Sequence, residues 1–135
     1  MVSVRLARPL HYAAEIAARS QRWTLSSLVE VALDAYLREV DVADPLTGKP
    51  TKLMRLMEAL WDPYESERLV KLAESQRWLL DDEEGRRWKA ILEHFKSEGR
   101  LTLEQRQELR GDLYETIKKR IADELDQREL PFAKQ

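Results

Sequence analysis

The sequence predicts a mainly α-helical chain: one short N-terminal strand, two helices behind it, then a bundle of about four helices. Three observations carry this. The 135 residues are 43% apolar and 36% charged with the signs interspersed, enough apolar content for a core in one domain or a small pair. Only four glycines and five prolines interrupt the chain, which favours long helices. Beyond the first few residues, apolar positions recur at helical spacing almost throughout.

Residues 2–6, Val-Ser-Val-Arg-Leu, alternate with period two. That reads as a half-buried strand with Val2, Val4 and Leu6 on one face and Ser3 and Arg5 on the other. Pro9 stands where helices like to start. From there to about Arg22 the chain is alanine-rich, with Leu10, Ala13, Ala14, Ala17 and Ala18 on one side. Thr24 is a candidate N-cap for a second helix, whose Leu25, Leu28, Val29, Ala32, Leu33, Tyr36, Leu37 and Val40 form an unbroken apolar stripe. Residues 41–50, with Pro45, Gly48 and Pro50, read as a linker.

The remainder, 51–129, reads as helical. Leu53, Leu56, Met57, Leu60 and Trp61 line one helix. Asp62-Pro63 is expected to cap and start the next, carrying Leu69, Leu72, Ala73, Leu79 and Leu80. Asp81 or Asp82 caps a further helix with Trp88, Ile91, Leu92 and Phe95 inward, expected to end at Gly99. Thr102-Leu-Glu-Gln105 is a capping box opening a long last helix, with Leu109, Leu113, Ile117, Ile121 and Leu125 inward. Pro131 stops regular structure, and 130–135 form a tail. Trp61, Trp78 and Trp88 are expected to pack the core. Ser20-Gln-Arg-Trp23 recurs as Ser75-Gln-Arg-Trp78 without matching flanks, so it is read as coincidence.

Composition narrows function. The absence of cysteine excludes a disulfide framework, a thiol nucleophile and a cysteine zinc site. His11 and His94 are too few for a histidine cage and are read as surface residues, the second beside Glu93. Neither a glycine-rich phosphate loop nor a serine–histidine pairing is suggested, and Asp81–Glu84 is explained by the helix dipole. No enzyme, metal or cofactor is expected. No run reaches the roughly 18 apolar residues of a membrane span. The arginine-rich start superficially resembles a transit peptide, but Glu15 and the low serine content argue against that. A bacterial cytoplasm, or a phage- or plasmid-encoded protein within one, is the expected setting.

The formal charge is −2, unevenly spread: residues 1–25 carry Arg5, Arg8, Arg19 and Arg22 against Glu15, a local +3, leaving −5 for the rest. A basic head on an acidic body suits presentation of one end to a polyanion. A lone strand also needs a partner, because an unpaired strand leaves its backbone groups unmet. With no second strand legible, the economical partner is another copy, giving an obligate homodimer. Its core is expected from Val2, Val4, Leu6, Leu28, Ala32, Leu33 and Tyr36.

Positions 2–37, VSVRLARPLHYAAEIAARSQRWTLSSLVEVALDAYL, resemble the ribbon-helix-helix DNA-binding family of Arc- and MetJ-type repressors. The order strand, proline-started helix, short turn, capped amphipathic helix matches over about a quarter of the chain. The resemblance implies a two-stranded ribbon, one strand per protomer, lying in the major groove of double-stranded DNA. On this chain Ser3 and Arg5 would face base edges, with Met1 at the strand's start. Arg5 could pair bidentately with guanine. Thr24, Ser26 and Ser27 match where the family clamps a phosphate, and Arg8 and Arg22 add phosphate contacts. The inter-helix turn departs from the family's glycine, so either it is wider or a non-glycine residue there takes positive φ.

The expected organisation is residues 1–40 for DNA binding and dimerisation, 41–50 as linker, and 51–129 as a helical interaction or oligomerisation domain. The expected function is a homodimeric transcriptional repressor. Its C-terminal helices would join dimers into tetramers or bind a protein, as in antitoxins and plasmid relaxosome or partition accessory proteins. The alternative of another class is a helical scaffold that binds no DNA. The tail Gln127–Phe132 loosely resembles a sliding-clamp docking peptide, with a plain chain end as the other reading.

Overall fold

A computed structural model describes residues 3–44 and 46–129. In chain order it gives α1 (Arg8–Ser20), α2 (Leu25–Leu37), β1 (Asp41–Ala43), β2 (Pro50–Lys52), α3 (Leu53–Leu60) and α4 (Glu65–Ser75). A 3-10 turn (Arg77–Leu79), α5 (Asp82–Phe95), α6 (Leu103–Glu108), a π-helical turn (Leu109–Leu113) and α7 (Tyr114–Glu129) follow. The chain is mainly helical, with one small antiparallel sheet. It divides into two units, the first running to Ala43 and including 49–55, the second taking 44–48 and everything from Leu56 onward. Met1, Val2, Pro45, Leu130, Pro131 and Phe132, to which the sequence gives roles, lie outside the described residues.

In the first unit, α1 starts at Arg8, with Pro9 in the first turn where its missing N–H leaves no bond unmade. It ends at Ser20 in a Schellman closure: Trp23 N–H donates to Ala18 O at 2.8 Å and Arg22 N–H to Arg19 O at 3.2 Å. Arg22 takes φ +57°, so the positive-φ form of the expected turn is the one adopted, on a non-glycine residue. Thr24 caps α2 as expected, its oxygen accepting from Ser27 N–H at 3.1 Å. The helix ends at Leu37, three residues short of Val40. Val40 is drawn instead into the adjoining hairpin, its carbonyl accepting from Leu53 N–H at 3.0 Å.

That hairpin corrects two expectations. The stretch read as a linker holds β1, and β2 completes the pair, so the strands among the described residues lie here, and residues 3–6 of the expected N-terminal strand do not form one. Asp41 faces Lys52, Val42 faces Thr51 and Ala43 faces Pro50. The half-buried Val42–Thr51 pair lies inward, and Lys52 Nζ reaches Asp41 Oδ1 at 3.3 Å. Gly48, at φ +71°, turns the chain, and its N–H donates to Asp44 O at 2.7 Å. The two strands satisfy each other, while residues 3–7 form no ladder with any described residue.

The core sits in the second unit. Val70, Ile91, Leu109 and Trp88 are fully buried, joined by Leu69, Ala73, Ala90, Leu101, Tyr114, Ile117 and Ile121. Large apolar side chains buried this way contribute about 1.5–3 kcal/mol each. The inward faces expected of α5 and α7 are therefore observed, with Leu92, Phe95, Leu113 and Leu125 packed at the margin. The capping boxes at Asp81/Glu84 and Thr102/Gln105 are both present, each with its reciprocal bond.

Five expectations change here. Trp61 and Trp78 are 62% and 44% exposed, and Trp88 alone of the three is buried. Asp62 does not cap α4. Its Oδ1 accepts from Tyr64 N–H at 2.9 Å, an Asx turn that delays the helix to Glu65. The helix stops at Ser75, leaving Leu79 in the 3-10 turn and Leu80 beyond it. Helix α5 ends not at Gly99 but at Phe95, where Lys96 takes φ +53° as the cap and Ser97 N–H donates to Leu92 O at 2.8 Å. The long last helix is broken at Gly111, whose φ −96° and ψ −141° are not helical. The two Ser-Gln-Arg-Trp stretches share only that each serine is the last residue of its helix, and they continue differently, the second into the 3-10 turn. Ser20 Oγ donates to Ala17 O at 2.8 Å and Ser75 Oγ to Lys71 O at 2.6 Å.

Candidate nucleic-acid interface

Residues 3–7 lead into α1 with extended backbone at Ala7, where φ is −60° and ψ 144°. Ser3 and Arg5 are exposed, Val4 is 62% exposed and Leu6 is half-buried. Arg8 follows as the first residue of α1, also exposed. The segment thus presents two arginines and a serine to solvent next to an uncovered valine.

The second element is the turn into α2. Arg22 stands exposed in its left-handed conformation two residues before the cap. Thr24 Oγ1 accepts from Ser27 N–H and donates to Ser27 Oγ at 2.9 Å, so both hydroxyls are engaged in the cap. Ser26 is exposed, and neither it nor Leu25 directs its backbone N–H to a described residue. Those amides, at the positive end of the α2 dipole and beside Arg22, form a donor set of the kind that holds a phosphate oxygen. All seven residues expected to touch DNA (Ser3, Arg5, Arg8, Arg22, Thr24, Ser26 and Ser27) belong to the first unit and all are exposed.

The apolar residues of this unit are equally informative. Ala18 is the single buried residue among those described in it. Ala32 is exposed, Leu28 half-buried, and Leu33 and Tyr36 are 52% and 69% exposed, so the stripe expected to form a dimer core lies open. Leu10, Tyr12, Ile16 and Val31 are exposed as well. The sequence reading placed Leu10 on the alanine side and passed over Tyr12 and Ile16. Their i, i+4 spacing was the available signal.

His11 Nδ1 lies 2.7 Å from Glu15 Oε1 on an exposed face, and exposed His94 packs edge-on against Phe95 at 4.9 Å. Among the described residues no cluster of three or more histidine, aspartate or glutamate side chains is placed to hold a metal ion, and no helix is long and apolar enough to cross a membrane. Compared with models of protein families, with curated proteins and with solved structures, the chain matches none.

Proposed function

We propose that the protein is a homodimeric, sequence-specific DNA-binding protein, acting as a transcriptional repressor through a ribbon formed by the N-terminal segments of two chains. The observation that carries this is the coreless first unit. It exposes Val4, Leu33 and Tyr36 and, among its described residues, buries only Ala18, although α2 is capped by Thr24. An amphipathic helix pair gains its stability from covering its apolar stripe, and a second copy would supply the cover. The same pairing would give residues 3–7 the ladder they lack among the described residues and set Ser3 and Arg5 on its outer face. The exposed Arg8, Arg22 and Ser26 would flank it as phosphate contacts. The second unit, with its own core, would serve as an interaction or oligomerisation domain.

The test is selection from a randomised DNA pool at stated salt, paired with light scattering. Enrichment of inverted or tandem half-sites by a dimer is the expected result. Arg5→Ala should weaken the selected site by about 1–3 kcal/mol, leave non-specific binding nearly unchanged and keep the dimer intact. A dimer that enriches no motif would favour the scaffold reading.

A further inference from the structure

The second unit contains a cleft of about 380 Å³, at the lower end of the range that takes small molecules. Met57 and Leu60 from α3 and Leu69 and Leu72 from α4 give it apolar walls. Its charged lining is Glu65 and Arg68 from α4 and Glu84 and Arg87 from α5.

These four formal charges cancel, but they are not all met. Glu65 takes Lys118 Nζ at 2.8 Å and Arg87 Nη2 donates to Glu83 at 2.7 Å, so each of those two has an ionic partner. Arg68 and Glu84 have none among the described residues. Arg68 stacks over the Trp61 ring at 5.0 Å and spends Nη1 on the carbonyls of Asp62 and Pro63, at 2.8 and 3.2 Å. Its Nε and Nη2 donate to no described residue. Glu84 accepts the Asp81 N–H at 3.1 Å through Oε1, which leaves Oε2 without a donor among the described residues. One turn along α5 from Glu84, Arg87 Nε is buried with no partner. A buried donor without an acceptor is uncommon in folded proteins and calls for one.

The two unmatched charges select the ligand's class, because they differ in sign. A molecule that fills the cleft takes water from both, and a charge covered without a partner is costly. A lone carboxylate would answer Arg68 and set a like charge against Glu84, and a lone ammonium would do the reverse. An uncharged ligand would leave both unmet. We propose that the cleft binds an apolar α-amino acid as its zwitterion. Its carboxylate accepts from Arg68 and Arg87 Nε, its ammonium donates to Glu84, and its side chain lies against the apolar walls. This site is independent of whether the first unit binds DNA.

L-Phenylalanine and its blocked forms separate these contributions. N-acetylphenylalanine keeps only the carboxylate, phenylalaninamide only the ammonium, and N-acetylphenylalaninamide neither. Each is titrated into the ¹⁵N-labelled full chain and followed by amide and indole resonances. The expected result is saturable shifts at Met57, Trp61, Arg68 and Glu84, with L-phenylalanine at least about fivefold tighter than any blocked form. Glu84→Gln, which keeps an acceptor for the Asp81 N–H, should weaken L-phenylalanine and phenylalaninamide and leave N-acetylphenylalanine unchanged. Arg68→Gln should weaken L-phenylalanine and N-acetylphenylalanine and leave phenylalaninamide unchanged. The comparison of the four ligands on the wild-type chain decides the matter even if a variant fails to fold. A blocked form that binds as tightly as L-phenylalanine, a folded variant that weakens both singly blocked forms alike, or no saturable shift with any of the four would overturn the proposal.

Discussion

Arg22 and Lys96 hold a backbone conformation that glycine adopts at no steric cost, and each does so to close a helix. The penalty for a side chain there is about 1–2 kcal/mol, and the Schellman bonds to Ala18 O and Leu92 O offset part of it. Asp62 is a second residue whose local chemistry outweighs its apparent role. Its Oδ1 accepts the Tyr64 N–H and its Oδ2 pairs with Lys71 Nζ at 3.1 Å. The backbone bond from Tyr64, then the lysine, holds its pKa below the ordinary carboxylate value. A carboxylate with a lowered folded-state pKa contributes stability that is present above its unfolded value and lost as pH falls through the folded one. Asp62→Asn, which keeps the acceptor for Tyr64 but cannot titrate, should therefore show a shallower loss of stability below about pH 4. Urea midpoints of both proteins across pH 2–7, on the order of unit steps, would check it. Parallel curves would mean Asp62 contributes nothing to acid sensitivity.

At the scale of elements, buried Glu67 is the joint between α4 and the broken last helix. Its side chain is 3% exposed and meets Arg106 Nη2 on α6 and, at 3.2 Å, Arg110 Nε in the π-helical turn. Arg110 also lies over the Tyr64 ring at 5.0 Å. Both arginines are partly exposed and can turn to water, so the loss on removing the charge should be smaller than for a fully buried pair. Glu67→Gln should cost about 1–3 kcal/mol in urea unfolding and speed hydrogen exchange across residues 103–113. An unchanged midpoint would mean the cluster's desolvation cancels its attraction. None of this was legible in the sequence, because Glu67 sits among other acidic residues and its partners lie 39 and 43 residues away. The caps at Thr24, Asp81 and Thr102 were legible because a cap is a contact between residues three apart. The break at Gly111 was hidden by the four-residue repeat from Leu109 to Leu125, which stays inward on either side of it. Strands of three residues, as in the hairpin, are too short for alternation to show. Trp61 and Trp78 were misplaced because helical spacing fixes a face but not whether another element covers it. Of the candidate interface, the cap and the exposed arginines could be read directly. The open apolar stripe could be expected from periodicity, but its extent over Tyr12 and Ile16 needed the structure.

At the scale of the whole molecule, the two units differ in how they can be stable. The second closes around Val70, Trp88, Ile91 and Leu109, so it has what an independent fold needs. The first has a hairpin and a capped α2 but, among its described residues, no comparable interior, and isolated helices of 13 residues are marginal in water. If a second copy supplies the missing interior, folding of the first unit is coupled to association, and its stability depends on protein concentration. Heating should then give two transitions, the earlier one rising with concentration and the later one fixed. Leu33→Glu places a charge in the open stripe and should yield a particle near 15.9 kDa by light scattering, the mass of one chain. That variant should lose the earlier transition and keep the later one. Its DNA affinity should fall together with the dimer, whereas Arg5→Ala should lose specific affinity as a dimer. The wild-type complex should weaken steeply with added salt, since each phosphate contact releases bound counterions. A wild-type chain that stays monomeric at every concentration, with both units folded, would show that the open stripe needs no second copy.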